Sequence, residues 1–290
     1  MAEDLPESFV ERPAEFDALI RLLRDPEREE PIAMTAALRG AGGYGKTTLA
    51  RALCHDSGIQ EAFDDGILWV TLGENPGDLK LKVLDLVEVL SGERPGYETV
   101  EAAASRLAEL LADRDILMVV DDVWNAADLA PFLRGGKRCA RLVTTRNRST
   151  LPASVRAMDV DAMRREEAVQ LLAAGLAGGR ATQIAALAAR LGEWPVLLKL
   201  VNGTLRERVG AGEKLEEAVA YVNEDLSENG LTAFDEEDAR QRDRAVAATV
   251  AVSLKAIGTD SVRYEELAIF SEDVAIRFRR SKGCGARLED

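Results

Sequence analysis

A glycine-rich run at residues 40–47, GAGGYGKT, has the residue types and the spacing of a phosphate-binding loop. Glycines let the backbone curl so that successive N–H groups point at phosphate oxygens. Lys46 would supply a full charge to the β- and γ-phosphates, and the Thr47 hydroxyl is a ligand for Mg²⁺. We therefore predict nucleotide binding rather than the alternative, a glycine-rich connector with an exposed lysine. The nucleotide-binding residues predicted in this segment are Gly40, Gly42, Gly43, Tyr44, Gly45, Lys46, Thr47 and Thr48.

Two carboxylates, Asp121 and Asp122, follow an apolar run at residues 116–120. Such a run is typical of a parallel strand that is covered on both faces, and ligands bind at the carboxyl edge of parallel sheets. Beside a phosphate loop, Asp121 is predicted to hold Mg²⁺, and Asp122 is predicted to orient or deprotonate an attacking water. The alternative is an ordinary strand exit with two solvated acids.

A basic side chain, Arg146, follows two threonines at the end of a predicted strand at residues 141–145. A guanidinium at that position would face the same edge of the sheet as the two carboxylates. It could pair with a γ-phosphate and stabilise the charge there, so we predict a catalytic role for Arg146 together with Asp122. The alternative is a surface arginine that opens a loop.

The elements that must position these side chains alternate between strands and helices. This alternation predicts an α/β fold with a doubly wound parallel sheet. The predicted strands are residues 32–38, 67–72, 116–120 and 141–145, and the predicted helices are residues 13–24, 46–54, 79–90 and 98–112.

The pattern changes after about residue 160, where helical periodicity continues without strands. Residues 166–176, 182–191, 195–208 and 213–228 are each predicted to be helical. We expect a nucleotide-binding domain at residues 1–155, a helical domain at 156–235 and a short third segment at 236–290.

Three segments in this order resemble the bacterial type of the NB-ARC family, which belongs to the STAND ATPases, P-loop proteins related to the AAA+ class. They are GAGGYGKTT at residues 40–48, LMVVDDVW at 117–124 and LVTTR at 142–146. The resemblance implies a P-loop NTPase fold with a three-layer parallel sheet, followed by a small all-helical domain and a winged helix.

Two further segments are similar to signatures of that family. FVERP at residues 9–13 resembles the N-terminal signature that holds the adenine, which implies nucleotide-binding roles for Val10 and Arg12. WPVL at residues 194–197 resembles the proline motif of the helical domain, which implies that Pro195 packs on the adenine. The neighbouring Trp194 either packs in the core or contacts the base.

The last segment resembles only the opening of a winged-helix domain, at residues 264–276. The family's domain continues well beyond that length, so the segment is expected to be an incomplete winged-helix start with an irregular tail. The sequence also departs from the family at Glu11 and Glu193, where glycine is common.

The resemblance implies a molecular switch that binds ATP or ADP with Mg²⁺ and regulates signalling or assembly, with slow or no hydrolysis. In the ATP state it would associate with itself or with a protein effector. Two alternatives remain: a non-hydrolysing module that holds ADP and mediates an interaction, and a small-molecule P-loop kinase.

Composition limits the remaining classes of function. The 290 residues carry a formal net charge of −14, which opposes a broad nucleic-acid-binding surface. The longest apolar runs have the length of strands rather than membrane spans, and the acidic N-terminus differs from a signal peptide. The three cysteines are distant in sequence and indicate neither a disulfide framework nor a metal site. We therefore expect a cytoplasmic protein without nucleic-acid or membrane partners.

Overall fold

The computed structural model describes residues 4–6, 8–24, 32–35, 42–177, 181–228, 278–280 and 286–288. The chain divides into two units, Met1–Ala256 and Ile257–Asp290. The candidate site lies in the first unit.

A parallel sheet of five strands forms the centre of the first unit within the described residues, in the order β2-β3-β4-β1-β5. The strands are β1 (Ile32–Thr35), β2 (Ile67–Gly73), β3 (Leu117–Val123), β4 (Ala140–Thr145) and β5 (Arg156–Asp159). The parallel α/β fold expected from the sequence is confirmed. Strand β5 was not predicted, because it is short and carries no apolar run. It pairs with β1, so the sheet extends four residues beyond the expected boundary at residue 155.

Helices cover the sheet on both faces. They are α1 (Pro13–Leu23), α2 (Lys46–His55), α3 (Ser57–Ala62), α4 (Leu79–Ser91), α5 (Val100–Leu111) and α6 (Ala126–Leu129). Local chemistry sets where the long helices begin. Pro13 occupies the first turn of α1, and the side chains of Asp78 and Thr99 accept backbone N–H groups at the starts of α4 and α5.

Strand β3 contributes alternate side chains to two separate hydrophobic cores. Leu117 and Val119 belong to one core, and Met118 and Val120 belong to the other. Because successive side chains of a strand point to opposite faces, the two cores are the two covered faces of the sheet. This explains the uninterrupted apolar run and gives the domain three layers.

A bundle of helices follows the sheet. It consists of α7 (Arg165–Ala173), α8 (Ala181–Arg190), α9 (Pro195–Gly210) and α10 (Leu215–Glu228). The side chain of Asn202 in α9 donates hydrogen bonds of 2.9 Å to the carbonyls of Leu172 and Ala174, which ties α9 to the end of α7. The buried side chains of this bundle belong to the same core as Leu117 and Val119, so the bundle packs against one face of the sheet domain.

The second unit contains an antiparallel pair of short strands, β6 (Phe278–Arg280) and β7 (Ala286–Leu288). This pair lies in the segment for which an irregular tail was expected. The winged-helix segment predicted at residues 264–276 lies outside the described residues. Among the described residues, no helix has the length and apolar character needed to cross a membrane.

Candidate functional site

The phosphate loop connects β1 to α2, and its glycines are required by geometry. Gly43 and Gly45 have φ angles of +82° and +84°, a backbone conformation that residues other than glycine rarely adopt. A Cβ atom on Gly42 would lie 3.0 Å from the guanidinium of Arg146, and one on Gly43 would lie 2.7 Å from the side chain of Val196. Gly40 lies outside the described residues.

Lys46 begins α2, and its side chain is buried beside the loop. Burial, and then the positive charge of Arg146, lower the pKa of Lys46 to about 8, while Asp122 and Asp121 oppose that shift. Burial disfavours the charged form of a lysine. The site therefore holds a cation that an anionic ligand would stabilise.

Thr47 and Asp121 lie in direct contact. The Thr47 hydroxyl donates a hydrogen bond of 2.9 Å to Oδ1 of Asp121, although the two residues are far apart in sequence. The same oxygen accepts a hydrogen bond of 2.6 Å from the hydroxyl of Thr144 in β4. Burial raises the pKa of Asp121, and the hydrogen bonds from Thr144 and Thr47 oppose the rise. Asp121 lies inside β3, whereas the sequence suggested that it follows the strand.

Asp122 occupies an irregular position in β3. The register between β3 and β4 shifts between Val120 and Val123, and Asp122 has a φ angle of +51°. Aspartate tolerates this left-handed conformation better than most residues. Its N–H donates a 2.8 Å hydrogen bond to the hydroxyl of Thr144. The bulge thus turns the backbone so that Asp121 and Asp122, although adjacent, have different environments: Asp121 is 3% exposed, and Asp122 is partly exposed.

Arg146 lies at the same edge, as predicted. Its Nε atom is 3.5 Å from Oδ1 of Asp122, and its guanidinium lies over the ring of Trp124, 4.8 Å from the ring centroid. The indole N–H of Trp124 donates a 3.0 Å hydrogen bond to Oδ2 of Asp122. Arg146, Asp122 and Trp124 therefore form one cluster beside Gly42 of the phosphate loop.

Arg12 is buried and contacts protein groups. It donates hydrogen bonds to the backbone carbonyl of Tyr44 at 3.0 Å and to the carbonyls of Asp161 and Ala162 at 3.0 and 3.1 Å. Its guanidinium also lies 3.1 Å from the carboxylate of Glu15. Arg12 thus joins the N-terminal segment, the phosphate loop and the connection to α7. Val10 is half-buried and packs against the hydrophobic core that the sheet shares with the helical bundle.

The start of α9 lies against the phosphate loop. The indole N–H of Trp194 donates a 3.1 Å hydrogen bond to the carbonyl of Gly42, and the ring stacks on Tyr44 with 5.5 Å between centroids. The backbone N–H of Val196 donates a 3.2 Å hydrogen bond to the carbonyl of Gly43. Pro195 is half-buried between these two residues, at the first position of α9.

The donor set fits Mg²⁺ better than a softer metal. Hydroxyl and carboxylate oxygens are the ligands that Mg²⁺ prefers, and it commonly uses few protein ligands together with phosphate oxygens. The contact between Thr47 and Asp121 beside the loop supplies such a pair. Within the part of the chain that the structure describes, no group of three or more His, Cys, Asp or Glu side chains forms an alternative metal site.

Two residues of the site, Thr144 and Trp124, were not predicted from the sequence. Thr144 links Asp121 and Asp122 through its hydroxyl, and Trp124 contacts both Asp122 and Arg146. A polar residue on the strand next to the acidic one was a usable signal for Thr144. The contacts of Trp124 depend on how β3 and β4 are placed side by side, for which the sequence carries no comparable signal.

A family model matches more than half of the chain. The model of the NB-ARC domain matches residues 14–179. Regulatory protein AfsR from Streptomyces coelicolor is 33% identical over 144 residues, which cover 48% of this chain and 14% of AfsR. Disease resistance protein RGA2 from Solanum bulbocastanum is 31% identical over 141 residues, which cover 46% of this chain and 14% of RGA2.

A solved structure shares the fold. It is a Signal Transduction ATPase with Numerous Domains (STAND) protein with a tetratricopeptide repeat sensor from Pyrococcus horikoshii, with a TM-score of 0.50 and 18% identity. The match covers 79% of this chain and 36% of that protein. The aligned region thus spans about one seventh of each of the two sequence relatives and about a third of the solved one.

Proposed function

The chain belongs to the NB-ARC family of nucleotide-binding switches, and we propose that its site binds ATP or ADP together with Mg²⁺. The observation that carries this proposal is the contact between Thr47 and Asp121, which lies beside the buried amine of Lys46. A buried cation next to two hard oxygen ligands suits a magnesium–phosphate group.

In this proposal, each residue that lies near the phosphates has a distinct role. Lys46 binds the β- and γ-phosphates, and the loop amides together with Thr48 bind the remaining phosphate oxygens. Thr47 and Asp121 hold the metal. Mg²⁺, when bound, supplies charge that neutralises the phosphate oxygens. Arg146 binds the γ-phosphate, and Asp122 orients the attacking water and accepts its proton.

The switch follows from a competition for Arg146. The Nε atom of Arg146 lies 3.5 Å from Oδ1 of Asp122. A γ-phosphate offers Arg146 a stronger anionic partner, whereas ADP leaves it with Asp122. ATP would therefore favour a different arrangement of this edge than ADP does, which is the differential interaction that a switch requires.

The same contacts support slow hydrolysis or none. Both carboxylate oxygens of Asp122 have partners, since Oδ2 accepts the indole N–H of Trp124 and Oδ1 lies beside Arg146. These two partners occupy one acceptor site on each oxygen and restrict the directions from which a water can approach the carboxylate. This observation favours, as a second candidate, a non-hydrolysing module that holds ADP and mediates an interaction.

The base of the nucleotide would lie between the N-terminal segment and α9. In this proposal Val10 and Pro195 contact the adenine, and Arg12 acts through the carbonyl of Tyr44. Residues 1–155, together with β5, would form the nucleotide-binding domain, residues 156–235 the helical cover, and residues 236–290 the start of a winged helix. We place the protein in the cytoplasm, where the ATP state would bind a second copy or a protein effector.

Two measurements test this proposal. The protein purified without added nucleotide is denatured by heat, and the supernatant is analysed by anion-exchange chromatography for ADP and ATP. Phosphate release is then measured under multiple-turnover conditions with Mg²⁺. Steady release that Asp122→Asn abolishes and Asp64→Asn preserves supports the switch with hydrolysis, since Asp64 is an exposed carboxylate remote in sequence from the loop. Recovered ADP without release supports the second candidate, and the absence of adenine-nucleotide binding refutes both.

A further inference from the structure

Three consecutive carbonyls of the phosphate loop accept hydrogen bonds from residues outside the loop. The donors are the Trp194 indole to Gly42 at 3.1 Å, the Val196 backbone N–H to Gly43 at 3.2 Å, and Arg12 Nη1 to Tyr44 at 3.0 Å. Two of the three donors belong to the start of α9. The third belongs to the segment before α1.

Holding a carbonyl also fixes the next amide. The peptide group is planar and trans, so the carbonyl of one residue and the N–H of the following residue point in opposite directions from one plane. Fixing the carbonyls of Gly42, Gly43 and Tyr44 therefore fixes the directions of the amides of Gly43, Tyr44 and Gly45. These are amides of the type that bind phosphate oxygens in a loop of this kind.

Trp194, which immediately precedes α9, contacts the loop through both its ring and its indole N–H. It is 4% exposed, and its ring stacks on the buried ring of Tyr44 with an angle of 23° between the planes. Its indole N–H, the only polar group of the side chain, donates to the carbonyl of Gly42. A tryptophan that served as a platform for the adenine would instead present a ring face to the base.

We propose that Trp194 is a positioning residue that holds the phosphate loop in the conformation that binds a diphosphate group. The residue acts through the Gly42 carbonyl and the Tyr44 ring and makes no contact with the base. Because Trp194 immediately precedes α9, any movement of α9 away from the sheet would release the loop. Phosphate affinity and the position of α9 are then linked. This inference rests on the proposed function, since it assumes that the phosphates bind at the loop.

The test compares a ligand that has a base with one that has none. Trp194→Phe keeps an aromatic ring against Tyr44 and removes the N–H donor. The affinities of Mg·ADP and of Mg·pyrophosphate are measured by calorimetry for the wild type and the variant. We expect both to weaken by the same factor, about fivefold for the loss of one hydrogen bond. The matched control is Trp69→Phe, which removes an indole donor to Thr71 on β2 and should leave both affinities unchanged.

Three outcomes would overturn the inference. Weaker ADP binding with unchanged pyrophosphate binding would mean that Trp194 acts on the base. Unchanged binding of both ligands would mean that the indole N–H does not position the loop. An equal loss of affinity in the Trp69→Phe control would mean that the weaker binding results from general destabilisation of the fold.

If the wild type binds neither ligand, the proposed function is refuted, and a second measurement still tests whether Trp194 holds the conformation of the loop. Hydrogen exchange of the nucleotide-free protein is followed in the peptide that covers residues 42–49. We expect Trp194→Phe to raise exchange there and leave a peptide covering residues 67–73 unchanged, and equal exchange in variant and wild type would refute the inference. If the phenylalanine variant does not fold, a benzothienylalanine at position 194 replaces only the N–H with sulfur, and the same comparisons apply.

Discussion

Replacing Lys46 with methionine should stabilise the nucleotide-free protein while greatly weakening its affinity for nucleotide. The pKa of Lys46 is lowered from 10.5 to about 8 in the folded chain, chiefly by burial. A difference of this size corresponds to about 3 kcal/mol against the charged amine in the fold at pH 7. Methionine has a similar length and carries no charge, so Lys46→Met should raise the free energy of unfolding by up to that amount.

The sign of the pH dependence follows from the direction of the shift. Because the folded pKa is lower than the unfolded one, the penalty is complete below about pH 8 and declines as the pH approaches 10.5. At pH 9.5 the gain from Lys46→Met should therefore be about 40% of its value at pH 7. The affinity for ADP should decrease on the order of 100-fold at pH 7, since a charge-assisted contact with phosphate is lost.

Denaturant unfolding at pH 7 and pH 9.5, after removal of bound nucleotide, measures the first effect, and calorimetry with ADP measures the second. Lys199→Met is the matched control, because it makes the same change of charge at an exposed position of α9. It should alter neither quantity. A Lys46→Met protein that is no more stable than the wild type at pH 7, or that binds ADP with unchanged affinity, would refute the reasoning.

Two further substitutions and one labelling experiment test other parts of the structure. Gly43→Ala should weaken ADP binding and lower the melting temperature more than Gly77→Ala, since both glycines have positive φ but only at Gly43 would a Cβ atom collide with the start of α9. Arg141→Met should lower the free energy of unfolding by about 2–4 kcal/mol, because the buried guanidinium donates to four backbone carbonyls, and ADP affinity should stay unchanged in calorimetry. Burial raises the pKa of Cys54 to about 12, so its reactive thiolate form is scarce at pH 8. A thiol reagent should therefore label the Cys54 peptide slowly in the native protein and rapidly in denaturant, as measured by mass spectrometry. Rapid labelling of the native protein would contradict this prediction.

The sequence predicted the sheet well where residue types left little choice. The apolar run before Asp121 is typical of a strand covered on both faces, and β3 has that environment. The short strand β5 was missed because it pairs at the edge of the sheet with exposed and half-buried side chains. Its existence depends on pairing with β1 rather than on its own pattern.

In the site, too, residue types predicted the chemistry, whereas the packing decided the contacts. The residue types of the loop, of Asp121 and Asp122 and of Arg146 indicated phosphate chemistry from the sequence alone, because few side chains can bind phosphate and Mg²⁺. Only the tertiary structure decided which groups meet, since Thr47 and Asp121 are 74 residues apart and Trp194 and Gly42 are 152 apart. Those contacts depend on strand order and on the packing of α9, which arise from the burial of the whole core rather than from any local pattern. The left-handed backbone of Asp122 likewise results from the register shift between two strands, and a single strand cannot determine it.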